Sequence, residues 1–245
     1  MSQISTLDFA EMSRRVYNLD AGKDFDIAGY ECRRFREGMS WGVTNTDFKG
    51  CVYASQEYDE LVVAFQGTDP SKLGDVVADL QIVITGFIGM LPQYCGAALR
   101  LFERAAVSFP DRKISLTGHS LGGAIAQVIG HWTNTPFATF NAPGMYMDIQ
   151  RSKLSMILGP NIDALNSIMG GLKGSALAKQ SAGTGRNFRN VMDPVSMYGS
   201  HYGPVTRFWG TGLHSMDDVF ERVRSSRWAN INPFDPKNKE WGEFD

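Results

Sequence analysis

The stretch from Lys113 to Trp132 leaves this chain few architectures. Lys113-Ile-Ser-Leu-Thr-Gly118 reads as a buried strand, and Leu121 to Trp132 reads as an apolar helix rich in Ala, Ile and Val. Between them stands Gly118-His-Ser-Leu-Gly122, so the strand has to turn into the helix almost at once. Small residues allow that turn, because a side chain at Gly118 or Gly122 would collide with the neighbouring strand or helix. The turn places Ser120 at the C-terminal edge of a sheet, with its hydroxyl exposed at the N-terminus of a helix whose dipole favours developing negative charge.

The rest of the chain alternates in the same way. Ser5 to Tyr17 opens on a Ser-x-x-Asp capping signal and repeats Leu7, Phe9, Met12 and Val16 at helical spacing. β-rich runs follow at Trp41–Thr44, Cys51–Ala54 and Leu61–Phe65, and a helix is expected from Tyr94 to Phe109, where Pro110 stops it. Leu80 to Leu99 carries no charge but is broken by Gly86, Gly89, Pro92 and Gly96. It is expected to form strand, turn and helix start and not a membrane span. Phe137–Phe140 and Phe188–Met192 read as strands and His214 to Arg224 as a helix. Strands alternating with helices predict an α/β fold: a mostly parallel central sheet flanked by helices, in a single domain spanning 1–245.

The segment from about Gly144 to Arg186 departs from the alternation and is expected to be a helical excursion. Six basic residues (Arg151, Lys153, Lys173, Lys179, Arg186, Arg189) and two acidic ones (Asp148, Asp163) lie between Asp148 and Arg189, a local charge of +4. The whole chain, with 24 Lys plus Arg against 26 Asp plus Glu, carries −2, so the remainder carries −6. No global positive field results, and a nucleic-acid partner is not expected. The basic, apolar excursion fits either a face toward an anionic bilayer or a cap packed on the sheet. Three cysteines (Cys32, Cys51, Cys95) show neither a paired framework nor metal-ligand spacing. The first residues lack a basic n-region and an apolar h-region, which points to a cytoplasmic location or to export by a signal-independent route.

A serine hydroxyl needs a base, and the base needs an orienting carboxylate. Of the four histidines, His119 lies inside the turn with its ring directed away from the Ser120 hydroxyl, and His131 lies turns away along the following helix. His214, on the loop entering an amphipathic helix, is preferred to His201, which sits in a Tyr/Gly/Pro loop and reads as a pocket wall. Asp148, Asp163 and Asp193 are the aspartates between Ser120 and His214. Asp193, at a strand end and followed by Pro194, is the one suited to presenting a carboxylate. The backbone N–H of Leu121 and the backbone N–H or hydroxyl of Thr68, after the Leu61–Phe65 strand, are the candidate oxyanion donors.

Ala64-Phe-Gln-Gly-Thr-Asp69, Ser115-Leu-Thr-Gly-His-Ser-Leu-Gly-Gly-Ala-Ile-Ala126 and the Asp193-Pro-Val…His214-Ser pair resemble the class 3 lipase family of α/β hydrolases. With Gly74 to Leu80, similar to that family's lid-proximal stretch, the resemblance covers about residues 60–140 and 187–220. It implies a carboxylic-ester hydrolase acting on acylglycerols or phospholipids, with Ser120, Asp193 and His214 as triad and Thr68 with Leu121 as oxyanion hole. Such chemistry requires no metal or organic cofactor. The family usually has Arg where this chain has Gln66, and the 144–186 excursion has no recognised counterpart in it. The expected partner is a lipid ester, at a membrane surface on one reading, with a neutralising protein added if the chain is an exported effector. An esterase or thioesterase on soluble acyl groups, and a non-catalytic hydrolase-fold interaction module, are the alternatives.

Overall fold

The computed structural model describes residues 3–20, 27–33, 48–67, 80–145, 185–210, 212 and 214–235. Seven strands form one sheet in chain order: β1 (Tyr30–Arg33), β2 (Gly50–Ser55), β3 (Glu60–Phe65), β4 (Lys113–His119), β5 (Phe137–Phe140), β6 (Gly185–Asn190) and β7 (Val205–Phe208). The first three pair antiparallel, and every pairing from β3 to β7 is parallel. The helices are α1 (Thr6–Arg15), α2 (Leu80–Ser108), α3 (Leu121–Thr133) and α4 (Met216–Arg224).

Strand order explains which helix covers which face. Parallel strands added in one direction through right-handed crossovers place those crossovers on one side. α2 and α3, linking β3 to β4 and β4 to β5, accordingly share a core: Cys95, Ala98, Leu101, Ile125 and Ile129 pack with Val63, Phe65 and Leu116. The other face is covered from the two ends of the chain. Phe9, Met12 and Val16 around α1 pack with Met216, Val219 and Val223 of α4 over Val62, Phe140 and Phe188. The two ends are also hydrogen-bonded, Thr6 N to the Ile231 carbonyl at 2.9 Å and Leu7 N to the Ala229 carbonyl at 3.0 Å. α1 starts at the expected capping box, with Asp8 N donating to Ser5 Oγ and Ser5 N to Asp8 Oδ2.

The structure departs from the sequence reading in four places. Leu80–Leu99 is not strand, turn and helix start: α2 is one helix of 29 residues that runs through Pro92. The hydrogen bond lost at a proline is local, and burial of Leu91, Cys95, Ala98, Leu101, Phe102 and Ala105 on the core outweighs it. No helix among the described residues is long and apolar enough to cross a membrane. β6 covers Gly185–Asn190 in place of Phe188–Met192, so the sheet resumes at Gly185, inside the expected excursion. Strands β1 and β7, each four residues long, were not expected. Most of the excursion (146–184) and the run Trp41–Thr44 lie outside the described residues.

Candidate active site

Ser120 stands between β4 and α3 with φ 57° and ψ −128°. An L-residue is strained there by about 1–3 kcal/mol, and such strain persists only where the surroundings over-determine it. Here they do. Ser120 N donates to the Phe140 carbonyl at 3.1 Å, continuing the β4–β5 ladder, while Ala124 N donates to the Ser120 carbonyl at 3.0 Å as α3 begins. The turn closes because two side chains are missing. A Cβ on Gly118 would lie 2.4 Å from the Gly122 carbonyl carbon, and one on Gly122 would lie 2.1 Å from the Phe65 carbonyl oxygen.

The loop leading into α4 brings His214 to the serine. Ser215 caps that helix through its side chain, which fixes the residue before it. His214 Nε2 is 2.7 Å from Ser120 Oγ, and His214 Nδ1 is 2.8 Å from Asp193 Oδ2. An ionised carboxylate can only accept, so Nδ1 carries the ring proton and Nε2 is left to accept from the serine hydroxyl. Asp193 is fully buried; its Oδ1 accepts from Val195 N at 3.0 Å and its own N–H donates to the Asn190 carbonyl at 3.1 Å. Ser120, Asp193 and His214, singled out from the sequence, thus lie in one hydrogen-bonded chain.

Leu121, the first residue of α3, is buried against the core, and its N–H has no partner within the helix at that position. Thr68 lies outside the described residues; Gly67, just before it, approaches so closely that a Cβ there would be 3.2 Å from Ser120 Cβ. His201 is held elsewhere, with Nε2 2.8 Å from the Ala142 carbonyl, and His131 stacks on Tyr202 at 4.5 Å. Asp148 and Asp163 are outside the described residues.

Two supports went unnoticed in the sequence. His119, on the opposite face of β4, has Nδ1 3.0 Å from Tyr17 Oη and its ring 4.8 Å from that of His214. Burial, reinforced by the nearby His214, holds His119 well below the ordinary imidazole value. It therefore stays neutral and does not oppose positive charge forming on His214. Asn190 ties two loops together. Its Nδ2 donates to the Gly212 carbonyl at 2.9 Å, and its Oδ1 accepts from Met192 N at 3.0 Å and Gly210 N at 3.3 Å. Its own N–H donates to Asn141 Oδ1 at 2.8 Å. An Asn three residues ahead of an Asp-Pro could have flagged the turn, since Asn side chains commonly bond the backbone two residues on. For Tyr17 no local signal exists.

Several known proteins are similar to this chain. The protein named "Putative lipase ATG15" from Mycosarcoma maydis is 25% identical over 188 residues, which is 62% of this chain and 35% of that protein. Its namesake from Candida glabrata is 41% identical over 64 residues, 26% of this chain and 13% of that protein. The chain spans about a third or less of the length of these curated relatives. Among solved structures, the Lip2 lipase of Yarrowia lipolytica is 15% identical with a TM-score of 0.49, covering 78% of this chain and 71% of that one. The Rhizomucor miehei triacylglyceride lipase is 16% identical with a TM-score of 0.48, covering 93% of this chain and 94% of that one. A family profile, Phospholipase-like: Tle-like phospholipase domain, matches residues 8–158, more than half of the chain and including the Ser120 turn. On that match the chain belongs to the Tle-like phospholipase domain family.

Proposed function

We propose that this chain is a serine carboxylic-ester hydrolase that cleaves acyl esters of glycerolipids, phospholipids foremost, through an acyl-Ser120 intermediate. The observation that carries the reading is His214 standing between two hydrogen-bond partners, Ser120 Oγ at 2.7 Å and Asp193 Oδ2 at 2.8 Å. In the cycle, Ser120 Oγ attacks the ester carbonyl as its proton passes to His214 Nε2, and Asp193 stabilises the imidazolium. The Leu121 N–H, at the start of α3, meets the oxyanion, and Thr68 supplies the second donor. His214 then protonates the departing alcohol. Water, deprotonated by the same nitrogen, attacks the acyl carbonyl and releases the carboxylic acid with Ser120 restored.

The substrate is met at a lipid surface on this reading. Support comes from the apolar side chains that the site's rim leaves exposed: Met192 and Met197 on the loop carrying Asp193, at 51% and 56%, and Trp209 beyond β7, at 61%. Hydrolysis of a panel of phospholipids, triglycerides and short esters by wild type and Ser120→Ala tests the proposal. Phospholipid turnover in the wild type, lost in the variant, is expected. Turnover of short esters alone would favour a soluble esterase, and failure of Ser120 to label with a fluorophosphonate would overturn the hydrolase reading.

A further inference from the structure

The last two strands of the sheet carry a pair of like charges in register. In the parallel β6–β7 ladder Arg189 stands opposite Arg207. Residues in register on adjacent strands point to the same face, and like charges so placed repel. Among the described residues, neither guanidinium has a salt bridge or hydrogen bond to a carboxylate. Arg189 is half-buried, and its Nε is buried with no hydrogen-bond partner. Burial and then Arg207 lower the Arg189 pKa, with the Asp193 carboxylate pulling the other way. Arg189 also contributes to the lowered pKa of His201, after burial.

The register places this pair level with the nucleophile. His119 is in register with Phe140, and Phe140 with Phe188. The next residues along β4, β5 and β6 are Ser120, Asn141 and Arg189, and Ser120 N to Phe140 O with Asn141 N to Phe188 O carry the ladder that far. At about 4.8 Å between strands, Arg189 lies about 10 Å and Arg207 about 14 Å to one side of Ser120. Trp209, two residues past Arg207, and Met192 add exposed apolar surface beside the charges. Cationic groups next to an apolar rim match the boundary between lipid head groups and acyl chains. A lone arginine on edge strand β7 would need no more explanation than protection of the edge. A second one, half-buried in register with it, does not serve that purpose.

We propose that Arg189 and Arg207 form an anion subsite for the phosphodiester of a phospholipid substrate, holding the head group at the sheet edge while the acyl ester reaches Ser120. Guanidinium forks suit phosphate oxygens, and a bound phosphodiester would relieve the repulsion between them. The inference rests on the phospholipid reading above, and its test does not require turnover. Binding of dihexanoyl phosphatidylglycerol and of dihexanoylglycerol to the full chain carrying Ser120→Ala is measured alone and with Arg207→Gln or Arg207→Lys added. The phospholipid is expected to bind more tightly than the diacylglycerol. Arg207→Gln should cut the phospholipid's advantage about tenfold, and Arg207→Lys should keep part of it. Equal weakening of both lipids, or weakening of neither, overturns the subsite. Inorganic phosphate is the third arm: weak competition with the phospholipid supports head-group recognition, whereas free phosphate binding as tightly as the lipid overturns it. Fluorophosphonate labelling of the wild type reports on the triad separately, so failure of the subsite and failure of the hydrolase reading leave different records.

Discussion

Asn190 donates from Nδ2 to the Gly212 carbonyl across 2.9 Å, two residues ahead of His214. The same side chain accepts from Met192 N, one residue ahead of Asp193, so a single buried amide fixes the loops of the base and of its carboxylate. Asn190→Asp keeps the shape but turns a carboxylate oxygen toward the Gly212 carbonyl. A buried polar group left unsatisfied costs about 1–3 kcal/mol, and misplacing the base by that much lowers kcat about tenfold or more. The check is kcat and KM on a soluble short ester, with Asn190→Ala beside it. A change in KM with kcat untouched would count against a positioning role.

Asp193→Asn tests the proton bookkeeping of the triad. An amide presenting its NH2 to His214 Nδ1 moves the ring proton to Nε2, where it blocks acceptance from Ser120 Oγ. The expected loss in kcat is about 10³–10⁴-fold, with residual turnover from the oxyanion donors. Retention of most of the activity would show that another carboxylate orients the base.

The strained backbone of Ser120 predicts a stability difference between two inactive variants. Ser120→Ala keeps a side chain at φ 57°, ψ −128°, whereas Ser120→Gly removes the Cβ that makes this conformation costly. Relief of about 1–3 kcal/mol, reduced by glycine's greater freedom in the unfolded chain, leaves the glycine variant more stable by about 1 kcal/mol. Urea midpoints measured side by side decide it; an alanine variant of equal or greater stability would exclude strain at the turn.

Three histidines make the fold sensitive to mild acid. Burial lowers His119, His131 and His201 below the ordinary value of 6.5. Below that pH the unfolded chain binds protons that the folded chain refuses, so stability falls as pH falls. The contribution is complete above the unfolded value and is lost progressively toward the depressed folded ones. Each histidine that stays neutral steepens the decline by up to about 1.4 kcal/mol per pH unit. Unfolding free energies between about pH 8 and about pH 5 should decline, and His119→Gln should flatten the slope. Stability that is level or rising toward pH 5 would contradict it.

What could be read from the sequence followed the range of the physics behind it. β4, the Ser120 turn and α3 were legible because the turn's steric demands are local, and α1 because its capping box is. The chain order of Ser120, Asp193 and His214 sufficed to bring those residues under suspicion, since few aspartates and histidines compete in that stretch. β1 and β7 were missed because four residues are too few to establish a period, even where they alternate apolar and polar as Tyr30-Glu-Cys-Arg33 does. α2 was misread because its glycines and Pro92 argue locally for breaks, while the stabilisation comes from packing on β2, β3 and α3. Asn141 and Tyr17 act across the sheet, and no spacing along the chain reports such contacts; the offset of Asn190 from Asp193-Pro194 reports its local turn but not its bond to Gly212.

The closing of the second sheet face has a consequence for synthesis. α1 is made well before α4, yet Phe9, Met12 and Val16 are covered together with Met216, Val219, Val223 and Trp228. His214 sits immediately ahead of α4, so the docking that completes this face is the same event that seats the imidazole beside Ser120. The Ser120–His214 hydrogen bond therefore forms only as that layer closes.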